Sequence, residues 1–411
     1  MKLLNRLATI TAFLIVLVTV IAYARGYRLD LDNKSLKSTG ILSINSYPRA
    51  AKIFLNGELK GVTDQNISLP PGRYTIEIKK DGYTSWLKTL TLKGELVESI
   101  NALLFPINPS LTPLTNLGIT KVFLVGQSER LLLFSQNDSP EKDGVYLFDP
   151  NKNNLSFLPP LKLIVLKSAL PAQADFAQVS ADFSPDLKQT IITFQTPNGD
   201  YSYLFSLEDE NKQLFEVTTS KEKLLAAWEE EKNLEITKIL EGFPNKLEKI
   251  ASDSFKIISF SPDKMKILYQ AKINTVFDLI ISPPMIAANQ TPEERNLTKD
   301  DLYVYDIKED KNFKINSESI VQSSELKKGN LNSKFSILDS IQWYSDSDHL
   351  VINQEKQISI VDYDNQNMRV IYSGPYEKDF LGITTDGKLL VLTNLNFQIN
   401  HLPDIYAVGI K

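Results

Sequence analysis

The chain has 411 residues, 42 % of them hydrophobic and 23 % charged, which is ordinary globular usage and excludes wholesale disorder. Its 45 Lys and Arg against 50 Asp and Glu give a net charge of −5, which excludes a general nucleic-acid binder. There is no Cys and only two His, His349 and His401. Disulfides, thiolate metal sites, iron–sulfur clusters and cysteine nucleophiles are thereby excluded, and His-based metal or catalytic clusters nearly so.

Lys2 and Arg6 mark a short basic start, 1–6, ahead of an uncharged stretch, 7–24, that ends at Arg25. As a helix this stretch spans about 27 Å, enough for a bilayer core. One reading is a single-pass transmembrane helix with 1–6 as a cytoplasmic stub. The other is a signal segment cleaved after Ala24, suggested by Ala22-Tyr23-Ala24. A buried soluble helix is the plain alternative. Either leading reading exports the rest of the chain, so the expected location is the cell membrane with an extracytoplasmic body, or secretion. Residues 25–38 are polar and read as a stalk.

From 39 to 105 the apolar period switches to two. Ala51, Ile53 and Leu55 alternate with Lys52 and Phe54, and Asn56-Gly57 follows as a hairpin turn. After Pro70-Pro71-Gly72, Tyr74, Ile76 and Ile78 share a face; after Asp81-Gly82, Trp86, Leu90 and Leu92 do. Short strands joined by such turns predict a small β-sandwich, with Tyr83 and Trp86 in its core. Pro48, Leu55-Asn56-Gly57, Gly61, Thr63, Pro71-Gly72 and Gly82-Tyr83 carry a resemblance to the PEGA domain family. Its name-giving tetrapeptide is reduced here to Pro48 and Ala51 of Pro48-Arg49-Ala50-Ala51. The resemblance implies a small β module of surface and envelope proteins, without catalytic residues, serving as spacer or binding unit.

Residues 106–411 repeat. A turn-led opening recurs at Phe183-Ser184-Pro185-Asp186, Phe260-Ser261-Pro262-Asp263, Trp343-Tyr344-Ser345-Asp346 and Ile383-Thr384-Thr385-Asp386. An apolar strand follows each, and another copy holds LLLFS at 131–135 without the motif. An aromatic-apolar strand then ends in a polar turn, as in VYLFD, SYLFS, LYVYD and ISIVD, and the chain closes on DIYAVGI. The marker positions Asp149, Ser206, Asp306, Asp362 and Gly409 lie 57, 100, 56 and 47 residues apart. Repeats of about 40–45 residues with four strands suit a β-propeller, and longer spacings imply insertions. The set resembles the TolB-like, or WD40-like, propeller repeats of bacterial envelope proteins. The expected fold is therefore mainly β: an N-terminal transmembrane helix, a PEGA-like β-sandwich, and an irregular β-propeller of five detectable blades with a helical insertion. A sixth blade could occupy the long interval before Asp306. The last blade lacks an outer strand, which residues 111–117 could supply.

Two insertions are the candidate contact sites. Thr219-Ser220-Lys221-Glu222 is a capping-box sequence opening a helix on which Leu224, Leu225 and Trp228 share a face. The second runs over 277–300 and places Leu279, Ile280, Ile281, Met285 and Ile286 in what the repeat frame makes a loop. Trp228 and these five are the candidate partner contacts; local packing competes for both segments, and the second could instead meet a membrane surface.

Catalytic signatures are missing: no G-x-S-x-G elbow, no P-loop, and no G-x-G-x-x-G after a strand. Asp346-Ser347-Asp348 and Asp362-Tyr363-Asp364 lack the glycine and glutamate of a calcium loop. No metal or cofactor is expected, and His349 and His401 read as surface or hydrogen-bonded residues. The expected function is non-catalytic: binding or scaffolding of a protein partner or a cell-wall or surface polysaccharide. The alternatives are a carboxylate-based hydrolase of an envelope polymer, betrayed by converging acids with a raised pKa, and a self-associating structural surface protein.

Overall fold

The computed structural model describes residues 2–24, 27–30, 35–136, 142–152, 160–286, 288–316, 340–395 and 401–410. The apolar start forms α1 (Lys2–Ala24). Its threonine hydroxyls are satisfied inside the helix: Thr9 donates to the Arg6 carbonyl, Thr11 to Leu7 and Thr19 to Ile15, all at 2.7–2.9 Å. The apolar side chains are exposed around the helix, Phe13 at 68 % and Val18 at 63 %. Among the described residues no helix is long and apolar enough to cross a membrane. Within α1 the side chains described are those of 6–22. The transmembrane helix expected over 7–24 is thus not established by the fold. A two-stranded hairpin, β1 (Tyr27–Asp30) with β2 (Ser35–Ser38), follows within the polar stretch read as a stalk.

The chain divides into two units, one of residues 1–108 with 281–292, the other of 109–280 with 293–410. In the first, the period-two pattern becomes seven strands: β3 (Gly40–Tyr47), β4 (Lys52–Leu55), β5 (Glu58–Val62), β6 (Gln65–Leu69), β7 (Gly72–Lys79), β8 (Trp86–Leu92) and β9 (Val97–Leu103). They form a three-stranded sheet, β6-β3-β9, and a four-stranded sheet, β5-β4-β7-β8. β9 runs parallel to β3, Ile41 opposite Val97 through Tyr47 opposite Leu103. One core, including Leu42, Ile44, Ile53, Leu55, Ile76, Ile78 and Leu90, joins both sheets. Trp86 is 7 % exposed within it and Tyr83 packs on its rim, so both aromatics serve the core. Asn56 and Gly57 turn β4 into β5 with φ of 51° and 86°, the paired left-handed turn that Asn-Gly favours.

Among the described residues the second unit contains five four-stranded antiparallel sheets, none of them closed on itself. β10 (Ser110–Pro113) comes first and waits for the last sheet. The first sheet is β11 (Ile119–Leu124), β12 (Leu131–Ser135), β13 (Gly144–Phe148) and β14 (Leu161–Leu166). The second is β15 (Val179–Phe183), β16 (Gln189–Phe194), β17 (Tyr201–Ser206) and β18 (Phe215–Glu216). Helices α2 (Lys221–Leu240) and α3 (Asn245–Ser254) intervene. The third sheet is β19 (Phe255–Phe260), β20 (Lys266–Ala271), β23 (Leu302–Asp306) and β24 (Lys311–Ile315), interrupted by the small pair β21 (Thr275–Val276) and β22 (Asn296–Leu297). The fourth is β25 (Ile341–Trp343), β26 (His349–Asn353), β27 (Ile358–Asp362) and β28 (Arg369–Tyr372). The fifth is β29 (Gly382–Ile383), β30 (Leu389–Thr393), β31 (Asp404–Gly409) and the early strand β10. Ser110 opposite Gly409 through Pro113 opposite Tyr406 supplies the outer strand expected near 111–117.

Apolar clusters join neighbouring sheets: Leu132, Phe134, Ile192 and Phe205 the first and second, Leu268, Val304, Leu350 and Val361 the third and fourth. Leu131, Leu133, Leu390 and Ile405 join the first to the fifth. The sixth blade is corrected. Among the described residues the interval 206–306 holds α2, α3 and most of the third sheet, and no further four-stranded sheet. The capping box is corrected too. Ser220 caps α2 without a side-chain bond to the helix, and its hydroxyl lies 3.3 Å from the Val217 carbonyl.

The repeated turn has a shared chemistry. Ser184 and Ser261 each donate to the aspartate two residues on at 2.6 Å, and Thr384 does the same to Asp386. Each hydroxyl oxygen also accepts an N–H at or just before the start of the next strand, of Gln189, Lys266 and Lys388, at 2.9 Å. The residue after each aspartate lies in the left-handed region: Leu187, Lys264, Ser347 and Gly387 have φ of 56° to 83°. The fourth sheet's copy has Tyr344 where the others carry a hydroxyl on a short side chain. There His349 takes over, its Nδ1 2.7 Å from Asp346 Oδ2.

Candidate interaction site at the third-sheet insertion

Direct pairing of β20 with β23 leaves residues 272–301 as an excursion from one hairpin. Its base lies in the second unit. Phe277 is fully buried, 5.5 Å from the Phe255 ring and 4.8 Å from that of Tyr305. Its N–H donates to the Arg295 carbonyl at 2.7 Å, tying the outgoing leg to the returning one. The Arg295 guanidinium lies over the Phe277 ring and binds both Glu293, at 2.8 Å, and Asp310, at 3.1 Å. It also donates to the Asp278 carbonyl at 3.2 Å.

Asp310, 3 % exposed, is the hub of this base. It accepts from the Ile280 N–H at 2.8 Å and from the Tyr305 hydroxyl at 3.0 Å. Burial, and then the Asp310 charge, push the Tyr305 hydroxyl pKa well up, so it stays a donor. Lys311 adds a 3.1 Å pair to Glu293, and Lys246 of α3 donates to the Leu279 carbonyl.

The tip, 281–292, belongs to the first unit and is held there by side-chain amides. Lys88 donates to Asn289 Oδ1 at 3.0 Å. Gln290 Oε1 accepts from the Thr91 N–H at 2.8 Å, while its Nε2 donates to the Thr91 carbonyl at 3.1 Å and to Glu98 at 3.2 Å.

The six candidate contacts separate accordingly. Ile280 packs against the core of the third sheet, and Ile281 is half-buried in the first unit. Leu279, Met285 and Ile286 are exposed, at 42 %, 44 % and 74 %. Trp228 is half-buried on α2 and is absent from the cluster that holds Ile280. The apolar letters of the insertion therefore divide between packing and exposed surface, and polar residues, Arg295, Asp310 and Gln290, hold the segment. Nothing in a local pattern announces them, because Arg295 and Asp310 meet across 15 residues and Gln290 reaches Thr91 across 199.

Two charged clusters bear on the hydrolase alternative. Lys266, opposite Asp306 in the β20–β23 register, binds Asp348 at 2.9 Å beneath the Tyr363 ring. Burial works against its charge, but Asp348, Asp306 and Asp263 outweigh it and raise its pKa. Asp306 is raised by burial, and its carboxylate accepts the Glu309 N–H at 2.9 Å as a turn residue does. The acids that meet here are counter-ions to the buried Lys266, and Asp263 and Asp306 also accept turn N–H groups. His349, opposite Asp362, forms the equivalent cluster in the fourth sheet, its Nε2 3.2 Å from Asp362 Oδ1. Burial disfavours the charged ring, but Asp346 and Asp362 push its pKa up to about 10. Asp346 is lowered against its own burial by the bond to His349. Among the described residues no group of three or more His, Asp and Glu is arranged to hold a metal ion.

Residues 39–106 match the PEGA domain. The matched segment begins just before β3 and ends at Pro106, which bridges to Tyr83 of the Gly82-Tyr83 turn. The PEGA domain therefore accounts for the sandwich, and the inserted segment 281–292 is an addition from elsewhere in the chain. No curated protein matches. Among solved structures, a TolB from Agrobacterium tumefaciens is 14 % identical, over 64 % of this chain and 66 % of that one, with a TM-score of 0.20. The TolB of Acinetobacter baumannii is 10 % identical over 83 % and 62 %, with a TM-score of 0.22. An acylaminoacyl peptidase of Pyrococcus horikoshii is 11 % identical over 72 % and 39 %, with a TM-score of 0.18. The chain thus spans no more than two thirds of each of these structures. At such TM-scores the likeness carries no argument about this chain.

Proposed function

We propose that this chain is a non-catalytic binding or scaffolding protein of the cell envelope, held at the membrane by α1. The PEGA match at 39–106, directly after an apolar helix and a polar stretch, is the observation that carries this reading. The uncharged run 7–24 supports an anchor, since its threonine hydroxyls are bonded within the helix and leave few polar groups for lipid to solvate. In this reading the bulk of the chain is extracytoplasmic and the PEGA domain sets the standoff. The five sheets are the blades of an irregular propeller whose connecting loops offer the binding face. The ligand is a protein partner or a cell-wall or surface polysaccharide, and Leu279, Met285 and Ile286 are exposed apolar residues that could meet it.

The test is to express the full chain, separate membrane from soluble fractions, and treat intact cells or spheroplasts with protease. Membrane retention with digestion from outside supports the reading. A soluble chain protected inside the cell overturns it.

A further inference from the structure

β8 ends its sheet, and little in its own backbone blunts it. Its pairing with β7 runs from Gly72 opposite Leu92 to Ile78 opposite Trp86 without a register shift, and 86–92 contain neither Pro nor Gly. The opposite edge, β5, is different, because its pairing with β4 is broken by a shift between Ile53 and Phe54. Regular edge strands recruit other strands unless something blocks them, and an inward-pointing charge is one common block. Trp86, Leu90 and Leu92 face the core, and Lys88 shares their face. Among the described residues of the 281–292 segment, Asn289 and Gln290 act on this edge. Asn289 binds the Lys88 ammonium, and Gln290 takes both the N–H and the carbonyl of Thr91, as a neighbouring strand would.

We propose that 281–292 is an edge guard for the PEGA domain, and that without Asn289 and Gln290 a second copy of this chain pairs along β8. Antiparallel pairing of β8 with itself about Thr89 sets Trp86 opposite Leu92 and Lys88 opposite Leu90. No two like charges then face each other, so the sequence itself does not forbid the pairing. The outward Leu87, 46 % exposed, falls opposite Thr91 in that arrangement.

The test uses the full chain in detergent, comparing wild type with Asn289→Ala/Gln290→Ala. Hydrogen exchange of the 86–92 peptide is followed under dilution, and mass is followed by sedimentation as concentration rises. The guard predicts about tenfold faster exchange at Thr91 and concentration-dependent association beyond that of wild type. Gln290→Glu, which cannot donate to the Thr91 carbonyl and sets a carboxylate beside Glu98, should fall between the two. Unchanged exchange overturns the contact. Faster exchange with unchanged mass overturns the guard.

Discussion

His349 and Asp362 sit directly opposite each other in the β26–β27 register, and the ring bonds Asp362 on one side and Asp346 on the other. The pair is the fourth sheet's version of Lys266 opposite Asp306 in the third. Asp306 and Asp362 thus serve as turn residues and also as counter-ions to the residue opening the second strand of their sheet.

The His349 cluster predicts a pH dependence. Its folded pKa, about 10, lies above the unfolded value of 6.5. Its stabilisation is therefore complete below 6.5, declines as pH rises, and is lost above about 10. His349→Ala should cost about 3–5 kcal/mol near pH 6, because two carboxylates lose their shared cation. The difference between wild type and variant in urea denaturation should shrink steadily toward pH 10. A pH-independent difference would contradict the assignment.

The repeated turn gives a pair of opposed effects. Ser261→Ala removes a hydroxyl that donates to Asp263 and accepts from Lys266, and should destabilise by about 1–2 kcal/mol. Asp263, whose carboxyl is held down against burial by the Ser261 bond, should then titrate higher. Lys264→Gly relieves an exposed left-handed residue and should stabilise by roughly 1 kcal/mol. Denaturation midpoints and a carboxyl NMR titration read all three.

Arg295 fixes the base of the insertion. Arg295→Ala leaves Asp310 and Glu293 without their shared guanidinium and should cost about 3–5 kcal/mol. Protease sensitivity within 278–294 should rise together with this loss. Arg295→Lys should restore little, since an ammonium cannot reach both carboxylates and the Asp278 carbonyl in one plane.

Met285→Ser with Ile286→Ser changes exposed residues only, so stability should stay within about 0.5 kcal/mol of wild type. Loss of partner retention at unchanged melting temperature would place the contact at the tip of the insertion. Unchanged retention would remove these two residues from it.

Much of the architecture was legible because it is local. Asn56-Gly57, the Ser-Pro-Asp openings and the alternation at 51–55 and 74–78 each state their structure within a few residues. The outer strand β10 was legible because the repeat containing DIYAVGI holds one strand fewer than the others. What escaped is non-local or unpatterned. The parallel pairing of β9 with β3 joins strands more than fifty residues apart, and no short pattern encodes it. α3 is a ten-residue helix whose start follows Pro244 without a side-chain cap, and the long interval that concealed it suggested another blade instead. In the insertion, the apolar pattern marks Leu279 through Ile286, while the bonds that hold it come from Arg295, Asp310, Asn289 and Gln290. Such polar residues acquire meaning only when the fold sets them against partners far away in sequence.

The proposed function is binding without catalysis at the envelope. The direct measurement takes the full chain in detergent, incubates it separately with peptidoglycan, surface polysaccharide and solubilised envelope proteins, and quantifies both the bound fraction and the integrity of each polymer. Saturable retention by one of the three is expected, with every polymer intact. Cleavage of a polymer without retention would contradict it and favour a hydrolase, and neither retention nor cleavage would contradict it in favour of a purely structural role.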